Sequence, residues 1–400
     1  MTEHPPRFLL YFLPFAFSLC LNVLSPVIGD ISDFFNLKGT RGLMVIGGLN
    51  NLLLFLPMGF FSLLYSFLGK SIRPHPAYLA FASAICFAAI FLSDSLFVFT
   101  GAYLGIGMLL GLAVPTFYEL ARKGLAPGQG FATAVNINIM IGLGLAAGQY
   151  ASALIGVKGT TQWKYTYLLL AGTSVLAGLL TLVYYQRLRI SPEVARNRIK
   201  LTDIKAKSIL LLSQYLPGSV PWGSLTVFIF PYLEESGGLA RSRVILLITL
   251  LGVGMVAGSY LAGVLGEKLK NARANLVPTL IMAFFLVDIA YVYFLLEISL
   301  TAGFAMLVPL YFLGGILLAV PGSYIKGMLF DLSDGESVQT VFSAENFLES
   351  AGKGIGPAVV ALLIMAFADM GTALKVSTLF WFVCLVPLFI LMIKNRREVR

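Results

Sequence analysis

Apolar runs of roughly 20 residues recur twelve times along this chain, and that length is what a helix needs to cross the hydrocarbon of a bilayer. The runs begin near Phe8, Leu43, Ala77, Leu96, Phe131 and Thr166, then near Ser208, Val244, Leu276, Gly303, Val341 and Thr372. Spans 3 and 4 are continuous in hydropathy and are divided at the polar triplet Ser93, Asp94, Ser95. The first run is long enough to span, and no small-residue cleavage site follows it, so it reads as span 1 and not as a removable signal. With 58% hydrophobic and 12% charged residues, an ordinary water-soluble domain is excluded. The expected class is an all-α membrane protein with 12 transmembrane helices.

Cys20, Cys86 and Cys384 each fall inside an apolar run, which argues for small core residues and against a disulfide or metal site. His4 and His75 lie outside the runs, so a proton carrier within the membrane would have to be a carboxylate. No cofactor is expected. No Ser/His, HExxH or paired-Asp arrangement appears, and no phosphate-binding GxxxxGK[ST] loop, so neither an enzyme nor an ATP-driven pump is expected.

Twelve spans would put both termini on one side. Assigning alternate loops gives that side 20 Lys and Arg, including seven in the linker from Arg187 to Lys207, and gives the other side 7. Lys353 is left inside a span, and Lys326 is counted with the loops. Basic residues mark the cytoplasmic face, so both termini are expected in the cytoplasm of a cell bounded by a plasma (inner) membrane. The net charge of +9 follows from this bias and from contact with anionic lipid head groups, so no nucleic-acid partner is implied.

The central linker divides the chain into 1–186, 187–207 and 208–400, and residues on either side of it match in order. Leu13 and Pro14 recur as Leu216 and Pro217; Leu37 to Arg41 (LKGTR) as Leu239 to Arg243 (LARSR); Ser62 to Gly69 as Ser259 to Gly266. Leu112 to Pro115 with Tyr118 recurs as Leu318 to Pro321 with Tyr324, and Asn138, Gly144 and Gly148 recur as Asn346, Gly352 and Gly356. All offsets lie between 197 and 208 residues, so each match pairs span n with span n+6. Two parallel six-helix repeats are therefore expected, enclosing a space that rocking can open to either side.

In this layout, its basic linker and its local motifs, the chain resembles the major facilitator superfamily along essentially its whole length. The family's loop after span 2 reads GxLxDRxGRR. Here Ser62, Leu64, Gly69 and Lys70 occupy part of that pattern, with Ser66 and Phe67 where the family has its acid and base. In the second half Ser259, Leu261 and Gly266 do the same, with Gly263 and Val264 at the charged positions. Aligning span 4 on Gly105 puts Gly101 where many members carry arginine. The antiporter motif GxxxGP is complete only in span 11, at Gly352, Gly356 and Pro357; in span 5, Gln149 follows Gly148. The resemblance implies the major facilitator fold and carrier activity, with gate or packing roles for Gly69, Gly266, Gly352, Gly356 and Pro357. Small residues four apart let helix backbones meet in lipid, and Pro14, Pro57, Pro115, Pro217, Pro221 and Pro321 are expected to kink their spans.

Ionisable residues at membrane depth are costly and point to function. Glu345, Glu349 and Lys353 are spaced by four along one face of span 11. One reading makes Glu345 or Glu349 the proton carrier, with Lys353 alternating between Glu349 and an anionic substrate. The other makes Glu349 and Lys353 a static pair, with Glu345 reaching the head groups. Asp288, mid-span, is expected to be protonated and bonded to a neighbouring helix. Glu119 and Arg122 end span 4 as boundary charges or as a gate. Asp30 and Asp33 are expected to be solvated or to cap a helix.

In the family that the chain resembles, spans 1, 4, 7 and 10 surround the cavity with parts of 2, 5, 8 and 11. The substrate-cavity candidates on them are Asn22, Asn50, Asn51, Tyr103, Asn138, Gln214, Tyr215, Trp222, Tyr311 and Tyr324. A largely apolar, aromatic wall suits an amphipathic or lipophilic solute better than a polyanion, which would call for several arginines. The expectation is a proton-linked secondary transporter of a small organic molecule, acting as a monomer among membrane lipids. The alternative is a receptor or lipid scramblase of the same fold that does not transport.

Overall fold

The computed structural model describes residues 7–37, 39–68, 73–123, 130–185, 205–269, 275–333 and 338–398, and every regular element among them is helical. The first group is α1 (Arg7–Ser18), α2 (Ile28–Phe34), α3 (Thr40–Gly42), α4 (Asn50–Phe67), α5 (Pro76–Leu92), α6 (Leu96–Lys123), α7 (Gly130–Ile155) and α8 (Lys164–Tyr185). The second is α9 (Ala206–Leu212), α10 (Tyr215–Pro231), α11 (Arg241–Leu269), α12 (Leu276–Thr301), α13 (Phe304–Leu332), α14 (Val338–Phe367), α15 (Met370–Thr378) and α16 (Phe380–Glu398). A 3₁₀ turn, Ser25–Val27, leads into α2. The π-helical stretch Leu43–Leu49 leads into α4, and another, Tyr232–Ser236, closes α10.

Each expected span begins within three residues of where a helix starts. Among the described residues nine helices are long and apolar enough to cross a membrane unaided. The other three expected spans fall short for visible reasons. Between α1 and α2 the helix opens ahead of Pro26, which has no N–H to donate to a ladder. Between α9 and α10 it opens at Ser213 and Gln214, just before Pro217. The third, α5, has 17 residues and ends at Leu92, where Ser93 to Ser95 separate it from α6 as the polar triplet led us to expect.

Large apolar side chains face outward, among them Phe97, Leu92 and Ile85, each more than 70% exposed. Surface of that kind is stable against lipid and not against water. The chain is a multi-pass membrane protein.

Glycines set the closest helix contacts. A Cβ on Gly144 would meet Ser18 Cβ at 2.9 Å, and one on Gly148 would meet the Leu19 carbonyl carbon at 2.7 Å, so α7 lies directly on α1. A Cβ on Gly352 would meet Ser219 Cβ at 2.8 Å and one on Gly356 would meet Ser224 Oγ at 2.9 Å, so α14 lies on α10 in the same way. Gly107 and Gly111 fit α6 against Leu54 and Met58 of α4, and Gly254 and Gly258 fit α11 against Phe312 and Ile316 of α13. In all four pairs the contacts advance together along both helices, so the partners run parallel.

Contacts between the groups run the other way. Gly48 faces Ala358, Gly354 faces Phe55, and Gly59 faces Phe347, which makes α4 and α14 antiparallel. Gly252 against Ala146 and Gly263 against Val135 make α11 and α7 antiparallel as well. Gly266 is buried near the end of α11, and Pro357 lies inside α14 directly after Gly356. Gly69 and most of the linker, 187–204, lie outside the described residues.

Candidate functional site: a cavity between the helix groups

A cavity of about 220 Å³ lies between the two groups, lined from α7, α10, α11, α12, α13 and α14 with Leu21, Asn22, Phe55 and Trp381. Its wall is mainly apolar. Of the cavity candidates, Asn22, Asn138, Gln214, Tyr215, Trp222 and Tyr311 line it. The Tyr311 hydroxyl is 3.0 Å from Ser299 Oγ, and the Tyr215 hydroxyl and Gln214 Oε1 have no partner among the described residues.

Four candidates lie elsewhere. Tyr103 shares a 2.6 Å hydrogen bond with the Tyr167 hydroxyl, in an aromatic cluster with Phe99 and Trp163 that joins α6 to α8. The Asn51 amide donates to Gly47 O at 2.7 Å, using a carbonyl of the π-helical stretch. Asn50 is fully buried, and neither amide atom has a hydrogen-bond partner among the described residues. Tyr324 is buried in α13 away from the cavity. A helical period identifies a polar residue and not the direction in which it faces.

Glu349 and Lys353 line the cavity, and Lys353 Nζ donates to Glu349 Oε1 at 2.5 Å, as the i,i+4 spacing allows. The reading in which Glu345 reaches the head groups is corrected: it is buried, and Lys326 of α13 reaches it. Lys326 Nζ lies 3.3 Å from Glu345 Oε1 and 3.1 Å from Glu349 Oε2, with the Lys326 side chain 6% and the Glu345 side chain 2% exposed. Counting Lys326 with the loop charges is corrected by the same observation, since it sits inside α13 with Tyr324, Ile325, Leu329 and Phe330, all buried. Two lysines and two glutamates thus form one chain across α13 and α14, neutral in sum. Burial of so many charges is tolerable only while each has a partner. The Glu345 contact is close but lacks hydrogen-bond alignment, which makes it the loosest link.

Next to this chain the Tyr118 ring of α6 stacks on Phe342 of α14, centroids 4.0 Å apart and planes 14° from parallel. Glu119 and Arg122 follow Tyr118 in α6, but their side chains lie outside the described residues.

The groups also meet at the far end. Ser25 Oγ donates to Val227 O at 2.8 Å, and Arg241 donates to Pro26 O at 2.9 Å. Arg241 also lies 3.9 Å from both Asp30 and Glu234 and over the Phe230 ring. The expectation of a solvated or capping Asp30 is corrected. It is 8% exposed and accepts from Gly159 N at 2.8 Å, because the α7–α8 connection folds over it. Asp33 is exposed.

Asp288 departs from the expected bond to a neighbouring helix. It is buried, its Oδ1 meets no donor among the described residues, and it faces the cavity instead of bonding to a neighbouring helix. Sequence reasoning missed Lys326, Gln149 and Arg241 as contributors. Lys326 carried a signal: apolar or small residues flank it on both sides, from Ile325 through Gly327 to Phe330.

No family profile and no curated protein sequence matches this chain. Among solved structures it is similar to the crystal structure of the human organic anion transporter MFSD10 (TETRAN), with a TM-score of 0.63 and 14% identity, covering 96% of this chain and 100% of that one. At that identity the likeness is one of fold, and the fold is that of the major facilitator transporters.

Proposed function

We propose that this chain is a secondary active transporter that carries a small organic, amphipathic solute by alternating access, linked to protons through Glu345, Glu349, Lys326 and Lys353. The observation that carries this reading is a neutral chain of four buried charges beside a largely apolar cavity, held between two helix groups that touch at both ends.

The proposed architecture is twelve crossings in two parallel halves, 1–186 and 208–400, joined by the linker 187–207, with both termini cytoplasmic. The matched parallel pairs support it: α1 with α7 and α10 with α14, α4 with α6 and α11 with α13. Ion pairs recur as well. Lys164 at the start of α8 holds Asp94 beside α6, and Lys375 in α15 holds Glu297 near the end of α12.

In mechanism, a proton on either glutamate leaves the chain of charges with one excess positive charge. Lys326 then lacks one of the anions that hold α13 to α14, and the balance is restored by moving the helices, releasing the proton or taking up an anion. Because α14 also carries the contacts to α4 and the stack on Tyr118, a shift there loosens one end of the cavity. Asn22, Asn138, Gln214, Tyr215, Trp222 and Tyr311 are the proposed solute contacts. The likeness in fold to an organic anion transporter supports a carrier of organic solutes and leaves the sign of the solute's charge open.

The test is counterflow and pH-driven uptake in liposomes. Wild type should show counterflow, and an inward proton gradient should alter its uptake. Glu349→Gln should keep counterflow and lose the response to the gradient. Equal responses in the two proteins would remove Glu349 from coupling. An absence of counterflow with every solute tried would favour a receptor or a scramblase.

A further inference from the structure

Three of the four charged residues that line the cavity, Lys326, Glu349 and Lys353, belong to the chain of ion pairs that Glu345, outside the lining, brings to neutrality. Asp288 is the fourth. It stands at the middle of α12, is 2% exposed, and has no donor within reach of Oδ1 among the described residues. The cavity face of α12 is Phe285, Asp288, Val292, Leu295 and Leu296, a stripe at helical spacing on which the acid is the one polar group. Trp381 and Tyr311 line the same cavity from α16 and α13, and both ring donors are already engaged, Trp381 Nε1 with Gly218 O at 2.9 Å and Tyr311 with Ser299. Their remaining surfaces are ring faces and edges.

A lone buried carboxylate is costly unless a cation or donors satisfy it, and none of the described residues supplies one to Oδ1. Ring faces add attraction for a cation and none for an anion. We infer that Asp288 is the recognition site for the positive charge of an amphipathic organic cation, a protonated or quaternary amine whose apolar body packs against the aromatic wall. A cavity of about 220 Å³ restricts that body to about one ring with a short arm. This inference deepens the carrier reading above and rests on the same cavity. The competing site is Lys353, which could hold an anion if it left Glu349.

Two probes of matched shape and opposite charge separate these sites: benzyltrimethylammonium and phenylmethanesulfonate, with benzyl alcohol as the neutral member. Binding is measured by titration calorimetry on the full chain in detergent, for wild type, Asp288→Asn and Asp288→Glu. Wild type should prefer the cation by about tenfold or more, Asp288→Asn should lose that preference, and Asp288→Glu should retain it within a few-fold. Retention by the Glu variant excludes misfolding as the cause of the loss. A preference for the sulfonate, equal cation binding by wild type and Asp288→Asn, or no cation binding at all would overturn the inference. Counterflow of the same compounds in liposomes reads the carrier function separately. Asp288-dependent binding without counterflow would defeat the carrier reading alone, and counterflow indifferent to Asp288→Asn would defeat this inference alone.

Discussion

From α7 and the opened stretch that follows α1 the cavity receives Asn22, Asn138 and Gln149, all uncharged; from α12, α13 and α14 it receives Asp288, Lys326, Glu349 and Lys353. The scaffolds behind those two walls are alike, since the same glycine positions fit α7 to α1 and α14 to α10. A repeated backbone therefore does not require repeated chemistry. One set of helices can keep a smooth neutral wall while its counterpart concentrates the charges, and motion between them then changes the surroundings of the charged set.

The severest way to break this contrast is Lys326→Met. It removes the cation facing both Glu345 and Glu349 and should lower stability by about 3–5 kcal/mol, as breaking a buried ion network does. Uptake should fall roughly a hundredfold by the same loss of a partner for buried charge. An unchanged melting temperature in detergent and unchanged uptake would show that the charged wall is not a network. Next come the paired substitutions Gly148→Ala and Gly356→Ala. Each forces apart helices in backbone contact, and each should cost about 1–3 kcal/mol. Similar losses in melting temperature would affirm the like scaffolds, and a large imbalance would show that one half is packed more loosely.

On the neutral wall, Asn138→Ala should weaken solute binding only a few-fold, within about 0.5–1.5 kcal/mol for a hydrogen bond, and leave the pH profile of uptake in place. A shifted profile would mean that coupling extends across the cavity. The smallest effect belongs to Asp369, which caps α15 by accepting from Thr372 N at 2.6 Å and Gly371 N at 3.3 Å. Hydrogen bonds from Thr372 hold its carboxyl below the usual carboxylate range. The capping contribution is therefore fully present at neutral pH and fades as pH falls through that lowered value. Asp369→Ala should cost about 1 kcal/mol at pH 7 and less in acid, read by thermal melts at two pH values.

Fold was legible because span length and hydrophobicity are properties of single segments, and α6, α12 and α13 all begin within one residue of expectation. The site was legible only where its partners share a helix. Glu345, Glu349 and Lys353 are set four apart and showed themselves, whereas Lys326 reaches them from α13 across a helix interface that no local spacing reports. The same limit explains Asp30, whose cover comes from the distant Gly159, and Tyr103, whose hydroxyl is taken by Tyr167. Matching glycines, by contrast, carried information across helices, because close approach is written as a small residue at both copies of the contact.

The opened stretch between α1 and α2 has a further implication for how this chain tolerates change. Val23 O takes a hydrogen bond from Ser152 and Pro26 O takes one from Arg241, while Ser25 reaches Val227 O on the other group. In each case one member is a peptide oxygen, which every amino acid supplies. Drift at Val23 or Val227 leaves the clasp intact, whereas replacement of Ser152, Ser25 or Arg241 removes it, so a saturation library across this rim should tolerate the first class and reject the second.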